Sequence, residues 1–186
     1  MLKIVTAPND VLALVASPIE KIDNNIKNLI KEMALTLANA KDPEGVGLAA
    51  PQVGRSLRLF IVREEPKSDL KVFINPEITY PKELDLIAEA EKDKKKKKSV
   101  KLEGCLSLNS IWGVVKRYPS ILLKYLDENG TEHEEKITGF LATIIQHEVD
   151  HLDGILFPKR VLEQQGELYK SSKDKKGETV FEEIKI

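Results

Sequence analysis

Cysteine is nearly absent from this chain of 186 residues, and the single thiol, Cys105, excludes an internal disulfide. Histidine is almost as scarce, with three residues, and aromatic residues make up only 5% of the chain. No apolar run approaches the ~20 residues of a transmembrane helix, and residues 1–8 lack the apolar core of a secretory signal. These absences predict a soluble protein without membrane contact, and we expect it to be cytoplasmic.

Charge of either sign is not in excess, because 29 Lys and Arg residues stand against 30 Asp and Glu residues. A net charge of −1 gives no overall field that would draw the protein to DNA or to a membrane. The local exception is a lysine-rich stretch between residues 85 and 101, in which Lys94–Lys98 are consecutive. Such a run is typical of a solvated loop, and the sharper hypothesis is a transient contact with ribosomal RNA.

The length and a hydrophobic content of 41% predict one domain with a full core. Asp23 precedes apolar residues at helical spacing and is expected to cap that helix. Short runs rich in β-branched residues predict strands at 58–63, 71–74, 121–127 and 131–137. Asn75-Pro76 is expected to end the second of these strands, and Asn129-Gly130 predicts a hairpin turn between the last two.

The most informative motif is His147-Glu148-Val149-Asp150-His151, which follows an apolar run with helical spacing and precedes Gly154, a plausible helix stop. On a helix the two histidines share one face, while Glu148 lies at the edge of that face. The pattern predicts two metal ligands and a general base for metal-assisted hydrolysis. The alternative is a helix that carries two partly exposed histidines and no metal.

Two histidines leave a metal short of ligands, since catalytic sites of this kind usually hold three protein groups and one open position. A shell of Cys105, His147 and His151 is the simplest completion, although Cys105 taken alone fits a buried core position equally well. A loop rich in glycine and alanine, residues 42–54, surrounds Gln52, whose amide can both donate and accept hydrogen bonds. A plain connecting loop is the alternative there.

Three segments together resemble the signature motifs of the peptide deformylases, in the order found in that family. They are Gly-Val-Gly-Leu-Ala-Ala-Pro-Gln at 45–52, Glu-Gly-Cys-Leu-Ser at 103–107 and Gln-His-Glu-Val-Asp-His at 146–151. The resemblance implies an α+β fold, with antiparallel and mixed β-sheets around a central metal-binding helix in a single domain. It covers residues 1–160 as the catalytic domain, and we expect residues 161–186 to form a C-terminal tail with a β-hairpin, packed on that domain or extending from it.

The resemblance also implies an enzyme of N-terminal processing in protein biosynthesis. It would remove the N-formyl group from the formyl-methionine of newly made polypeptides and release formate. Cys105, His147 and His151 would bind one divalent metal, with Fe²⁺ as the expected physiological ion and Zn²⁺, Ni²⁺ or Co²⁺ able to replace it. Glu148 would transfer protons between water and the leaving amine.

The remaining implied roles concern the substrate. Gln52 and the backbone amide of Leu106 would stabilise the oxygen of the formyl group. The backbone of Val46 and Gly47 would pair with the extended peptide. The candidates for binding the substrate are Val46, Gly47, Leu48, Gly104, Phe140 and Ile144.

Some features lie around these motifs or depart from the family pattern. Glu103 and Arg117 are expected to form an ion pair that holds the Cys105 segment, and Asp150 is expected to orient a neighbouring group. Asn109 stands where many members have proline, and Trp112 stands where they have arginine. The tryptophan is expected to alter recognition of the residues that follow methionine.

Two other functions remain open at this point. A zinc peptidase of the His-Glu-x-x-His type would need a third ligand downstream, and the nearest candidates, Glu163 and Glu167, lie in a segment that is expected to be a loop. A non-catalytic peptide-binding relative would keep the fold without turnover. The presence of both Glu148 and Gln52 argues against this second alternative.

Overall fold

The computed structural model describes residues 1–40, 45–65, 67–81 and 102–185. In these ranges the helices are α1 (Asn24–Asn39), α2 (Gly139–Leu152) and α3 (Phe157–Glu163), with short 3₁₀ helices at Asp10–Ala13 and Ala50–Val53. The strands are β1 (Gly47–Ala49), β2 (Leu59–Val62), β3 (Lys71–Thr79), β4 (Glu103–Cys105), β5 (Leu108–Gly113), β6 (Ser120–Leu126), β7 (Glu132–Thr138), β8 (Leu168–Lys173) and β9 (Thr179–Glu183). None of the helices within the described ranges is long and apolar enough to cross a membrane.

The strands form two antiparallel sheets, one with the order β1-β2-β3-β6-β7 and one with the order β4-β5-β8-β9. Helix α2 packs on one face of the larger sheet and contributes Ala142, Ile145 and Val149 to a shared apolar cluster. Helix α1 packs with the opposite face of that sheet. The predicted α+β class is therefore confirmed.

Strand β2 shows why the larger sheet supports a helix on each side. Alternate side chains of a strand point to opposite faces. Phe60 accordingly packs in the cluster with α2, whereas Leu59 and Ile61 pack in the cluster with α1. Because both faces are covered, the strand is an unbroken apolar run rather than an alternating pattern.

The ends of the helices follow local signals in the sequence. The Asp23 carboxylate accepts hydrogen bonds from the backbone N–H groups of Asn25 and Ile26 at 2.9 and 3.0 Å, which confirms the predicted cap of α1. After α2, Gly154 has a φ of +69°, and a Cβ atom there would lie 2.6 Å from the carbonyl oxygen of Ala13. Only glycine fits this backbone position, so the predicted stop after α2 is confirmed.

The predicted end of β3 at Asn75-Pro76 is wrong, because the strand continues to Thr79. Its register with β6 shifts between Ile74 and Glu77, and Asn75 has a φ of 49°. The Asn75 side chain stabilises this irregularity by bonding the backbone N–H and C=O of Ile19, each at 2.8 Å. A β-bulge is a place where a strand tolerates proline, so Pro76 does not end the strand.

Two hairpins complete the sheets. Gly130 has a φ of +83° in the turn between β6 and β7, which confirms the hairpin predicted from Asn129-Gly130. Near the C-terminus, β8 and β9 pair from Tyr169 with Glu183 to Lys173 with Thr179. The boundary at residue 160 stays a prediction, and α3 runs through that position. The lysine run Lys94–Lys98 lies outside the described residues.

We predict that Phe73→Ala destabilises the fold strongly. Phe73 is 1% exposed, and its ring lies 4.7 Å from the rings of both Phe60 and Tyr125. Truncation leaves a cavity beneath α2, and such changes typically cost about 3–5 kcal/mol of the free energy of unfolding. Urea unfolding measures this loss. Leu122→Ala is the matched control, because Leu122 is 40% exposed on β6. This substitution should change the free energy of unfolding by less than about 0.5 kcal/mol. Equal unfolding midpoints for the two variants would contradict this account of the core.

Candidate active site

Cys105, His147 and His151 converge where β4 of the smaller sheet lies close to helix α2. The sulfur of Cys105, at the end of β4, lies 3.1 Å from Nε2 of His151 on α2. One donor atom from each of the three residues lies within 4.8 Å of the other two. Cys105 is 3% exposed and His151 is 1% exposed, so the donors are shielded from bulk water.

The sulfur is held in a polar environment that favours a thiolate. Burial would raise the pKa of the Cys105 thiol, but the imidazoles of His151 and His147 outweigh burial and hold that pKa well below its ordinary value. The backbone N–H of Ser107 and Nε2 of Gln52 also point at the sulfur, at 3.4 and 3.5 Å. The thiolate is the form of cysteine that binds metals.

Glu103 determines how His147 presents its ring. Nδ1 of His147 lies 3.1 Å from a carboxylate oxygen of Glu103, so this nitrogen donates, and the lone pair on Nε2 is left available for an ion. The Arg117 guanidinium bonds both oxygens of the same carboxylate, at 2.9 and 3.0 Å. Burial would raise the pKa of Glu103, but its hydrogen bonds with His147 and Arg117 lower that pKa to about 2. The predicted ion pair between Glu103 and Arg117 is confirmed.

Asp150 extends this network along α2. Its carboxylate accepts from Nη1 of Arg117 at 2.6 Å and from Nη2 of Arg160 at 2.7 Å. Arg117 thus joins the strand that carries Cys105 to the helix that carries both histidines. Sequence reasoning did not identify Arg160, which lies on α3, since its contact depends on how two helices pack.

The donor set fits a divalent transition metal. One thiolate and two imidazoles are borderline-soft ligands, and three protein ligands are usual where a further position is left for water or substrate. Cys105 and His147 also line a cavity of about 350 Å³, so two of the three donor residues border a space next to the site.

Glu148 lies beside these donors in the wall of the cavity. It is 3% exposed, and its Oε2 has no hydrogen-bond partner among the described residues. Burial raises the pKa of Glu148 to about 7. A Cβ atom at Gly47 would overlap this carboxylate, so β1 approaches it as closely as only glycine allows. The group is suited to accept and return a proton near neutral pH.

The amide of Gln52 is fixed in one orientation. Its Oε1 accepts from the backbone N–H of Ala49 at 2.8 Å, and its Nε2 donates to Oγ of Ser107 at 3.3 Å. The amide N–H groups are thereby directed to the side of Cys105. Gln52 and Leu106 both line the cavity.

Most of the predicted substrate-binding residues also line this cavity, namely Val46, Gly47, Gly104, Phe140 and Ile144. Leu48 does not, and its assignment to the pocket is corrected here. Side chains alternate along β1, so Gly47 faces Glu148 while the Leu48 side chain is fully buried in the cluster with α1. Lining residues that sequence reasoning did not assign to the pocket are Gly45, Leu102 and Thr143, and Trp112, which was expected to alter recognition of the residues after methionine, also lines it. Thr143 could have been predicted from the sequence, since it lies on the same helical face as Phe140 and His147.

Comparison with known proteins decides the family. The family model for polypeptide deformylase matches residues 1–167. The chain belongs to the peptide deformylase family. The peptide deformylase of Thermodesulfovibrio yellowstonii is 40% identical over 173 residues, which cover 91% of this chain and 94% of that protein. The crystal structure of the peptide deformylase from Thermus thermophilus is 36% identical, with a TM-score of 0.72, over 89% of this chain and 88% of that one.

Family membership confirms the predicted enzyme class. Peptide deformylases are metal-dependent hydrolases that remove the N-formyl group from newly made polypeptides, as the sequence motifs indicated. The alternative of a zinc peptidase is not supported. Among the described residues, the cluster able to hold a metal contains Cys105 and neither Glu163 nor Glu167. Glu163 is also not in a loop, since it lies in α3 and pairs with Arg160 at 3.1 Å.

We predict that Glu103→Gln weakens metal binding by the deformylase about 10- to 100-fold, the usual effect of removing a carboxylate that orients a histidine ligand. The amide keeps the size of the side chain but loses the charge that fixes the His147 tautomer. Competition with a chromophoric zinc chelator measures the affinity. Glu163→Gln is the control, because this carboxylate contacts Arg160 and no histidine; equal affinity in both variants would exclude the orienting role of Glu103.

Proposed function

We propose that Cys105, His147 and His151 hold one divalent metal, and that the deformylase hydrolyses the formyl amide of N-formyl-methionyl peptides beside it. The observation that supports this most directly is the meeting of a buried sulfur and two imidazoles at a cavity whose wall carries an unpartnered carboxylate. A divalent ion in such a shell supplies Lewis acidity, which lowers the pKa of water towards ~7 and polarises the carbonyl.

Glu148 is proposed as the group that moves the proton. As water attacks the formyl carbon, a C–O bond forms and the carboxylate takes a proton from that water. As the C–N bond breaks, the same proton passes to the departing nitrogen, which leaves as a free amine, and the formic acid that forms loses the second proton of the water to solvent and becomes formate. A buried carboxyl with a pKa of about 7 is suited to both transfers.

Gln52 and the backbone amide of Leu106 are proposed to stabilise the carbonyl oxygen as negative charge develops on it. Donors contribute most when their direction is fixed before the reaction. The bond between Ala49 N–H and Oε1 of Gln52 provides this for the side-chain amide. Leu106 follows the metal ligand Cys105 directly, so its backbone is tied to the same segment.

The peptide is proposed to bind as an added strand. β1 lies at the edge of the larger sheet, with β2 on its other side. The carbonyl of Val46 already accepts from the backbone N–H of Arg63 at 2.8 Å, so the Val46 N–H and the backbone of Gly47 are the groups proposed to pair with an extended peptide. Phe140 and Ile144 of α2, with Val46, give the cavity an apolar wall for the methionine side chain.

Fe²⁺ is proposed as the physiological ion, with Zn²⁺, Ni²⁺ or Co²⁺ able to occupy the same ligands. A set of one thiolate and two imidazoles accepts each of these ions, so the ligand types alone do not distinguish between them. Metal analysis of protein purified without oxygen identifies the ion.

We predict that Glu148→Gln lowers kcat for formyl-Met-Ala-Ser by at least about 100-fold and leaves the bound metal in place, because it removes a proton carrier and no ligand. Formate release and metal content are measured on the same samples, with Glu163→Gln as the control. Acetyl-Met-Ala-Ser and unblocked Met-Ala-Ser should remain intact. Unaltered turnover by the Glu148 variant would reject the mechanism, and cleavage of the unblocked peptide would support a peptidase.

We also propose a transient contact of Lys94–Lys98 with ribosomal RNA, which rests on the sequence alone. Replacing these five lysines with serine should reduce co-sedimentation with ribosomes, and the difference should shrink as salt increases, because the contact is electrostatic. Serine at both Lys175 and Lys176, in the turn between β8 and β9, is the control. Equal co-sedimentation of all three proteins at low salt would refute the contact.

A further inference from the structure

The N-terminal segment, residues 5–16, is hydrogen-bonded to the backbone at the end of the first two family motifs. The N–H of Val5 donates to the carbonyl of Gln52 at 2.8 Å, and the N–H of Ala7 donates to the carbonyl of Ser107 at 3.0 Å. Gln52 and Ser107 are the last residues of their motifs, and they are 2% and 1% exposed. One short stretch therefore joins two buried residues that are 55 positions apart in the chain.

The other end of the N-terminal segment is anchored to the end of α2. The N–H of Ala16 donates to the carbonyl of Leu152 at 2.8 Å, and Ala16 packs in the apolar cluster that α2 shares with the larger sheet. The carbonyl of Ala13 lies directly against Gly154, which follows α2. The segment is thus held at both ends, and the position of Val5 does not depend on a single hydrogen bond.

The Gln52 carbonyl needs an outside donor because of its place in the short 3₁₀ helix Ala50–Val53. The N–H of Gly54, which follows this helix, bonds the first two carbonyls of the helix. The last carbonyls of a helix have no partner within it, and a buried carbonyl without a partner is unfavourable. Val5 supplies the partner, so the backbone of Gln52 is held from outside its own helix.

Ser107 lies in the same turn as the backbone N–H of Leu106. Cys105 and Leu108 pair with each other where β4 and β5 meet, so Leu106 and Ser107 form a two-residue turn between these strands. The backbone groups of such a turn lie outside the hydrogen-bond ladder of the strands. The bond from Ala7 therefore restrains a turn that the ladder leaves free, and with it the N–H of Leu106.

Two connections consequently join the groups that are proposed to stabilise the carbonyl oxygen. Nε2 of Gln52 donates directly to Oγ of Ser107 at 3.3 Å, and the main chains of these two residues are linked through residues 5–7. Donors of this kind act when they lie about 2.7–3.1 Å from the position of the charged oxygen in the transition state. A misplacement of about 1 Å can cost up to about 100-fold in rate, so the spacing of the two donors matters for the reaction itself.

We propose that Val5 and Ala7 are positioning residues, and that their backbone N–H groups set the spacing between the Gln52 amide and the Leu106 N–H. Neither residue touches the substrate or the metal ligands, and each acts through the residue whose carbonyl it bonds. This inference rests on the proposed function, since it concerns the donors assigned there to the carbonyl oxygen. The expected effect is on kcat, because the spacing of the donors matters most once charge develops on that oxygen.

The first experiment replaces the N–H of Val5, and separately that of Ala7, by an ester oxygen, through incorporation of the corresponding α-hydroxy acid. The side chain is kept and one hydrogen-bond donor is lost. We expect kcat for formyl-Met-Ala-Ser to fall about 5- to 30-fold in each variant, which is part of the loss that follows complete removal of an oxyanion donor. KM and metal content should stay within about twofold of the wild-type values.

The same replacement at Lys3 is the matched control. Lys3 is exposed in the same stretch of chain, and its N–H makes no hydrogen bond to another described residue. Its ester variant should keep kcat within about twofold of the wild-type value. Unaltered kcat in both the Val5 and the Ala7 ester variants would overturn the inference. A higher KM or a loss of metal at unchanged kcat would also overturn it, because the segment would then support binding and not the reaction.

A second experiment asks whether Val5 acts through Gln52. Gln52→Leu removes the amide and should lower kcat by about 100-fold. In this background the Val5 ester should lower kcat by less than a further twofold or so, because the group that Val5 positions is gone. Independent effects of the two changes would indicate a structural role and overturn the inference. The single ester variants decide the question even if Gln52→Leu does not fold.

The outcomes separate this inference from the proposed function. A low kcat in Gln52→Leu together with normal kcat in both ester variants would refute the positioning role alone. Normal kcat in a folded Gln52→Leu enzyme would refute the proposed role of Gln52 at the carbonyl oxygen, and the inference with it.

Discussion

The ion pairs of Arg117 hold the candidate active site together. This guanidinium bonds Glu103 on β4 and Asp150 on α2, and so connects the strand that ends in Cys105 to the helix that carries His147 and His151. All three charged groups are nearly buried, and a buried ion pair is stabilising only when its hydrogen bonds are satisfied. Here the ion pairs fix the relative position of two elements. This matters because the three donor atoms come from β4 and α2 and must lie within a few ångströms of one another to hold one ion.

The larger sheet gives α2 the rigid support that this geometry requires. The residues of α2 that face the sheet are apolar, whereas the proposed ligands His147 and His151 and the proposed proton-transfer group Glu148 lie between them in the sequence and face away from that apolar cluster. Gly47 lets β1 approach Glu148 closely, and the resulting burial raises the pKa of this carboxyl to about 7. Packing and chemistry are therefore coupled, since the feature that desolvates Glu148 is the same edge strand at which the peptide is proposed to bind.

Features encoded within a few neighbouring residues could be predicted from the sequence. The shared face of His147 and His151, the cap at Asp23 and the turn at Asn129-Gly130 each depend on local spacing and backbone preference. Cys105, the third donor, could be predicted only because it is the single thiol or through the family resemblance. Local spacing does not reveal it, because Cys105 reaches the histidines through tertiary packing. Leu48 was misplaced since a resemblance assigns a position and not the face of the strand on which the side chain lies.

The C-terminal hairpin shows why such tertiary contacts matter beyond the three family motifs. Side chains on one face of β8 include Leu168, which packs in an apolar cluster with Cys105 and Val161. The opposite face presents Ser171 to Trp112. One element outside the family match therefore contacts both the surroundings of Cys105 and the wall of the cavity. A change in the hairpin that alters its twist would therefore shift both surfaces together.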